Sequence, residues 1–359
     1  MSSKASMWWC QVSDAVRVKN NISDNLIAEK STALFFPKHV PWYDFLFSHI
    51  SDMLHRKNSS NRLDVIDVSN QIFETSDDVG KFISEKYRIR TERWPGESYA
   101  EFLSSRDDVS LNNTYVWVRG INKNNYKQWC SFAEEYEAGC VSKKNRATFI
   151  LEYFEDGDKN IPVYKNIDVI YWENEIKSYD YYLFCSMLVS DLKCSDELKY
   201  YIAELVFLLG ECHAEFCAEL SEYKERFAEN PEMVLKECAE IFCYDDDEKI
   251  QLANLNVVEQ VVIEAQIKNV FPVIERYRRN FITDNYDQLR IILQNENSEP
   301  YDLDIGNIKY LIQSGTLNMD LQKQKELEFF HKSRNKIAHS NIISYNDVKK
   351  ILNRYSTSN

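Results

Sequence analysis

The chain has 359 residues, enough for two or three domains, and its 44% hydrophobic and 13% aromatic content is that of a chain with large buried cores rather than a disordered one. Twenty-two Tyr and 19 Phe against 8 Gly and 7 Pro favour long regular elements with few tight turns. A formal net charge of −14 excludes a general nucleic-acid coater, because the overall field repels phosphate, so any RNA contact needs a local basic patch.

The opening residues Met1-Ser2-Ser3-Lys4 lead into no apolar signal core, and no apolar run is long enough to span a bilayer. Nine cysteines without a Cys-x-x-Cys pair suit a reducing compartment. These features predict a soluble cytoplasmic protein with no membrane partner.

Five strands are expected in the first half. Thr32–Pro37 is an apolar run closed by Pro, and Trp42–Leu54 follows it with helical spacing. Leu63–Ser69 is short and β-branched; Asn113–Arg119, Ala147–Phe154 and Ile167–Trp172 continue the series. Strands separated by helices imply crossover connections and a mostly parallel sheet. From about Asp191 the strand signals stop. Glu197–Leu220 carries a helical stripe, and Asn230-Pro231 starts another helix. The acidic run Asp245-Asp246-Asp247-Glu248 marks a boundary and reads as a solvated face or a helix start.

About five helices are expected after Lys249. They run over Leu252–Val270, from Pro272 to about Gln294, over Ile305–Ile312 ended by Gly315, from an Asp320 N-cap through residue 339, and from Ser344 to near Tyr355. The expected architecture is therefore an α/β N-terminal domain with a mostly parallel sheet (1–190), a helical connector (191–247) and an all-α C-terminal bundle (248–359).

The strand layout loosely resembles P-loop NTPases of the AAA or signal-transduction type. The chemistry of that family is missing: the first strand runs into Phe36-Pro37-Lys38-His39-Val40-Pro41-Trp42, without Gly, and the chain has no Gly-Lys-Ser/Thr. The strand in the metal-binding position ends Val118-Arg119-Gly120, without an acidic pair. A degenerate ATPase domain, another α/β sheet, and a Rossmann-like sensor using Lys38, Arg119 and Lys123 against phosphate all remain open. Cys212-His213 with Cys217, and Cys238 with Cys243, lack the short-loop spacing of structural zinc sites. No metal or cofactor is expected, and neither a Ser triad nor a Cys nucleophile has support.

The segment Arg334-Asn335-Lys336-Ile337-Ala338-His339 is the most informative. It resembles the Arg-polar-x-x-x-His signature of HEPN ribonucleases, helical domains that pair and cut RNA without a metal. About the last 110 residues share that resemblance, in helix count as well as motif. It implies that Arg334 stabilises a phosphorane, that His339 transfers protons and that Asn335, four residues before His339 and on its helix face, orients the imidazole. Lys332, Lys336, Lys349, Lys350 and Arg354, opposed by Asp347 alone, form a basic excess for the RNA backbone. In that family two copies of the motif meet across a dimer, which implies RNA and a second HEPN subunit, as homodimer or higher homo-oligomer, as partners. A partner ATPase or regulator is a further expectation, within a toxin or anti-phage defence role. HEPN toxins regulated by a nucleotidyltransferase often carry Tyr two residues after the His; here that position is Asn341, which argues against such regulation. The rival reading is a non-catalytic assembly subunit.

Overall fold

Unbroken apolar runs become strands buried on both faces, and this organises the first half of the molecule. In the computed structural model, which describes residues 3–57, 60–107, 109–140, 145–154, 163–241, 255–294 and 298–355, five parallel strands form one sheet in the order β2-β3-β4-β1-β5. These are β1 (Thr32–Phe36), β2 (Arg62–Asp67), β3 (Thr114–Ile121), β4 (Ala147–Phe154) and β5 (Asp168–Tyr171). β1 is buried throughout, whereas the edge strand β2 keeps solvent-exposed positions. Among the described residues every element after Tyr171 is helical.

Among the described residues seven helices accompany the sheet: α1 (Ser3–Gln11), α2 (Ser13–Ile27), α3 (Tyr43–Lys57), α4 (Ser76–Lys86), α5 (Tyr99–Ser105), α6 (Tyr126–Gly139) and α7 (Trp172–Glu175); α8 (Ser178–Leu188) follows them and contributes Cys185 to the core of the helical half. Val79, Ile83, Phe102, Trp129 and Phe132 of α4, α5 and α6 share a core with Val116, Val118, Phe149 and Leu151 of the sheet. On the opposite face Phe47 of α3 meets the Trp117 ring at 4.9 Å, and Trp172 meets both Trp9 and Phe36 edge to face. α1 and α2 precede the first expected element; their buried Ala15, Val18, Ile22 and Leu26 show the spacing of an amphipathic helix.

The chain divides into two compact units, Met1–Asp180 and Tyr181–Asn359. The second unit contains α9 (Asp196–Gly210), α10 (Ala214–Glu222), α11 (Glu225–Glu229), α12 (Pro231–Ile241), α13 (Leu255–Asn269), α14 (Phe271–Asp284), α15 (Tyr286–Ile292), α16 (Ile305–Gln313), α17 (Leu321–Ala338) and α18 (Tyr345–Leu352). One hydrophobic core runs from Cys185 to Leu352 and includes Leu198, Leu220, Val234, Ile274 and Val348. The helices expected as a connector therefore share the core of the C-terminal bundle. The acidic run 245–248 and Cys243 lie outside the described residues.

Two long expected helices are broken. The 197–220 stripe is interrupted where Glu211 and Cys212 take φ of 47° and 63°, ending α9 in the left-handed region. The 272–294 helix is interrupted at Asn285, whose N–H caps α14 by bonding Ile282 and Thr283. The expected caps at Asp320 and Ser344 are formed, each side chain accepting from the N–H three residues on.

Candidate functional site

The apolar stripe of α17 is Leu327, Phe330 and Ile337, joined by the buried Ser333, and it fixes the helix against the bundle. Phe330 stacks on Tyr277 of α14 with ring centroids 3.9 Å apart. The opposite flank carries His331, Lys332, Asn335 and Lys336, and its C-terminal end carries His339.

These residues line an open groove of about 480 Å³ together with Lys309 of α16 and Asp347 of α18. Three lysines therefore face one carboxylate there, on a chain whose net charge is −14. Lys332 is exposed and pairs with Glu328 at 2.9 Å, one turn back. Surface pairs of this kind are weak and screened by solvent.

His339 stands at the C-cap of α17, with φ −100° and ψ 21°, and its ring is exposed. Its position is fixed by the backbone. Asn341 N–H donates to Lys336 O at 2.8 Å and Ser340 N–H to Ile337 O at 3.0 Å, the paired bonds of a Schellman ending. Ser340 occupies the left-handed position at φ 56°, where glycine is the unstrained residue. Ser340→Gly is expected to raise stability by about 0.5–1 kcal/mol in urea unfolding, since relief of strain outweighs the added freedom of the unfolded chain.

The chain leaving His339 is clamped a second time. Gln266 of α13, 2% exposed, donates from Nε2 to Ile343 O at 2.9 Å and accepts from Ile343 N–H at 3.0 Å. This side chain was not among the sequence candidates. Nothing in the sequence separates a buried Gln from an exposed one at that helix position.

Arg334 is half-buried and is not itself one of the groove-lining residues, although its neighbours Ser333 and Asn335 are. Its Nη1 donates to Asn335 Oδ1 at 3.4 Å, and its Nε is buried without a hydrogen-bond acceptor among the described residues. No carboxylate pairs with Arg334 among the described residues, so its charge stays available to an anion.

Asn335 does not hold His339. Its Nδ2 lies 3.1 Å from Nε2 of His331 instead. The cause is helix geometry: side chains tilt toward the N-terminus, so an Asn reaches the residue four back more readily than the residue four on. His331, missed in the sequence reading, packs on the first turn of α16, where a Cβ on Gly306 would come within 3.3 Å of its Nε2. Burial, then the charge of Lys309, holds its pKa below the ordinary histidine value, with Arg334 acting in the same direction and Asp304 and Glu328 opposing.

The outer members of the expected basic patch are engaged within the fold. Lys349 bonds Glu225 of α11, and Arg354 pairs with Glu326 while lying over the rings of Tyr277 and Phe330. Lys350 sits 4.2 Å above the Phe329 ring. Lys332 and Lys336 face the groove; Lys349, Lys350 and Arg354 do not line it.

In the first unit, the ends of β1 and β4 are packed by aromatic rings: Phe36 against Phe154, Phe154 against Tyr43, and Phe36 against Trp172. In a doubly wound sheet ligands bind outside the carboxyl ends of the strands, the region these rings occupy. Arg119, one of three candidate phosphate contacts, lies 3.5 Å from Glu152 Oε2 and 4.3 Å over the Phe47 ring. Lys38 and Lys123 belong to the loops after β1 and β3.

Glu152 has a fully buried side chain, and its carboxylate accepts from the Tyr43 hydroxyl. Burial pushes its pKa up to about 7, against the opposing hydrogen bond from Tyr43 and charge of Arg119. The folded pKa lies above the unfolded one, so this group's contribution to stability is complete below about pH 4 and is lost as pH rises through 7. All seven tryptophans lie within residues 1–180, so their fluorescence follows this unit alone. Between pH 5 and 8 the unfolding free energy from urea titrations followed by tryptophan fluorescence is expected to fall, by up to a few kcal/mol at about 1.4 kcal/mol per pKa unit. Glu152→Gln is expected to flatten that slope.

Among the described residues no helix is long and apolar enough to cross a membrane, and no cluster of three or more His, Cys, Asp or Glu is arranged to hold a metal. Cys212 falls in the break after α9, and Cys217 is buried with its Sγ 3.7 Å from Val206 O.

No protein-family model matches the chain, and no curated protein matches it. Among solved structures it is similar to Saccharomyces cerevisiae RIF2, at 12% identity over 72% of this chain and 86% of that one, with a TM-score of 0.31. A Drosophila ORC structure bound to DNA is similar at 11% identity over 99% and 75%, also with a TM-score of 0.31. Likeness at this level supports no statement about activity.

Proposed function

We propose that the C-terminal unit is a metal-independent, HEPN-type endoribonuclease acting as a toxin or anti-phage effector, with the N-terminal unit as its regulator. The observation that carries this reading is the groove on α17. An exposed imidazole, rigidly held at a helix end, lies with three lysines in a strongly acidic protein, next to an Arg with no carboxylate partner among the described residues.

The reaction is transesterification. The RNA 2′-oxygen attacks the adjacent phosphorus, its proton passing to a base, and the 5′-oxygen leaves with a proton as the 2′,3′-cyclic phosphate forms. His339 carries out proton transfer, and the Arg334 guanidinium binds the charge that grows on the phosphorane oxygens. Lys332, Lys336 and Lys309 hold the flanking phosphates. A second copy of the chain presents its own Arg334 and His339 across the groove, which gives one phosphate two cations and two imidazoles. The aromatic packing at the strand ends favours a scaffold or protein-contact role for the N-terminal unit over nucleotide binding.

The test is cleavage of a mixed-sequence RNA in EDTA by wild type, Arg334→Ala and His339→Ala. Cleavage by the wild type alone supports the reading, and equal activity in all three ends it. A second reading, a non-catalytic assembly subunit, is favoured by exposed apolar side chains on the same unit, Tyr310 at 70% and Leu321 at 66% exposure. It predicts stable self- or hetero-assembly with no cleavage in any variant.

A further inference from the structure

We propose that His331 is a positioning residue for Arg334, acting through Asn335. The unprotonated Nε2 of His331 accepts from Asn335 Nδ2, and this turns the Asn335 carbonyl oxygen toward Arg334 Nη1. The consequence for cleavage rests on the nuclease reading above; the relay itself rests on geometry.

The donor and acceptor roles follow from elimination. A guanidinium only donates, so the Asn335 atom 3.4 Å from Arg334 Nη1 is the oxygen. The atom facing His331 at 3.1 Å is then the amide nitrogen, which only donates. His331 Nε2 must therefore carry a lone pair, and the ring proton sits on Nδ1. That Nδ1 is buried with no hydrogen-bond partner among the described residues, so the ring's orientation depends on Asn335 and on the first turn of α16 around Gly306.

Protonating His331 breaks the relay. An imidazolium presents an N–H to the Asn335 amide N–H groups, and turning the amide over would face those groups to the Arg334 donors. The charges around the ring set when this happens. Lys309 of α16 and Arg334 of α17 oppose protonation, while Asp304 of α16 and Glu328 of α17 favour it. The N-terminal end of α16 also opposes it through its dipole. Above its depressed pKa the ring is neutral and the relay is intact; acid opens it. Arg334 is in this way coupled to pH although a guanidinium does not itself titrate.

The tests use the full-length protein. Nitrogen-15 side-chain NMR of the wild type is titrated from pH 8 to pH 5, following the His331 ring nitrogens, the Asn335 amide and Arg334 Nε. The expected result is the Nδ1–H tautomer at neutral pH, with all three signals moving at one shared midpoint below 6.5. In His331→Gln, whose side-chain oxygen can still accept from Asn335 four residues on, the Asn335 and Arg334 signals are expected to stay flat. An Nε2–H tautomer, or an Arg334 signal blind to the His331 titration, overturns the relay. Steady-state cleavage kinetics form the second arm. His331→Ala is expected to lower kcat about tenfold with little change in KM, and His331→Gln to restore it to within about twofold at pH 8. An unchanged kcat in His331→Ala, with an active wild type, overturns the positioning role. If no form cuts RNA, the nuclease reading fails, and the wild-type titration alone still decides the relay.

Discussion

His339→Ala is expected to reduce RNA cleavage by about 10²–10⁴, the range associated with a positioned proton-transfer group. Arg334→Ala is expected to cost about 10²–10³, typical of removing one donor from a developing oxyanion. Both residues are solvent-accessible in part, and neither fills the core, so the variants should unfold at the wild-type midpoint. Arg334→Lys should recover little, because a lysine supplies a point charge in place of a two-pronged contact. The double variant is expected to be no worse than about the poorer single one, since residues acting on one transition state are not additive. The measurement is a single-turnover rate at saturating enzyme, which removes RNA affinity from the comparison.

Gln266→Leu is expected to destabilise the C-terminal unit strongly. The side chain satisfies both the N–H and the C=O of Ile343, itself 1% exposed. Leucine fills similar space and leaves both backbone groups buried without partners. Each such group costs about 1–3 kcal/mol, so a total of about 2–4 kcal/mol is expected. Far-UV circular dichroism would follow this loss, whereas tryptophan fluorescence would not, because that unit contains no tryptophan. The same substitution releases residues 340–343, which carry His339 away from its helix-end position, so cleavage should fall before the unit unfolds.

The strands were legible because the sheet is covered on both faces, so its central strands are unbroken apolar runs. Ala147–Phe154 is identical in sequence reading and structure. Helix ends were legible where a side chain caps, as at Asp320 and Ser344, and not where the backbone turns by itself, as at Glu211 and Asn285. The groove was half legible. Arg334, Asn335 and His339 stand out by spacing, yet spacing gives Asn335 two equal partners, His331 four back and His339 four on. Only the tilt of side chains on a helix, and the displacement of His339 to the C-cap, decide for His331. Lys349 and Arg354 looked free in sequence because Glu225 and Glu326, their partners, are brought to them by tertiary folding.

The most direct measurement is the chemistry of the cut ends after incubation with RNA in EDTA. Metal-free transesterification at α17 predicts 2′,3′-cyclic phosphate on the upstream fragment and a 5′-hydroxyl on the downstream one, both absent with His339→Ala. Fragments ending in 3′-hydroxyl and 5′-phosphate, or cyclic ends formed equally well by His339→Ala, would contradict it.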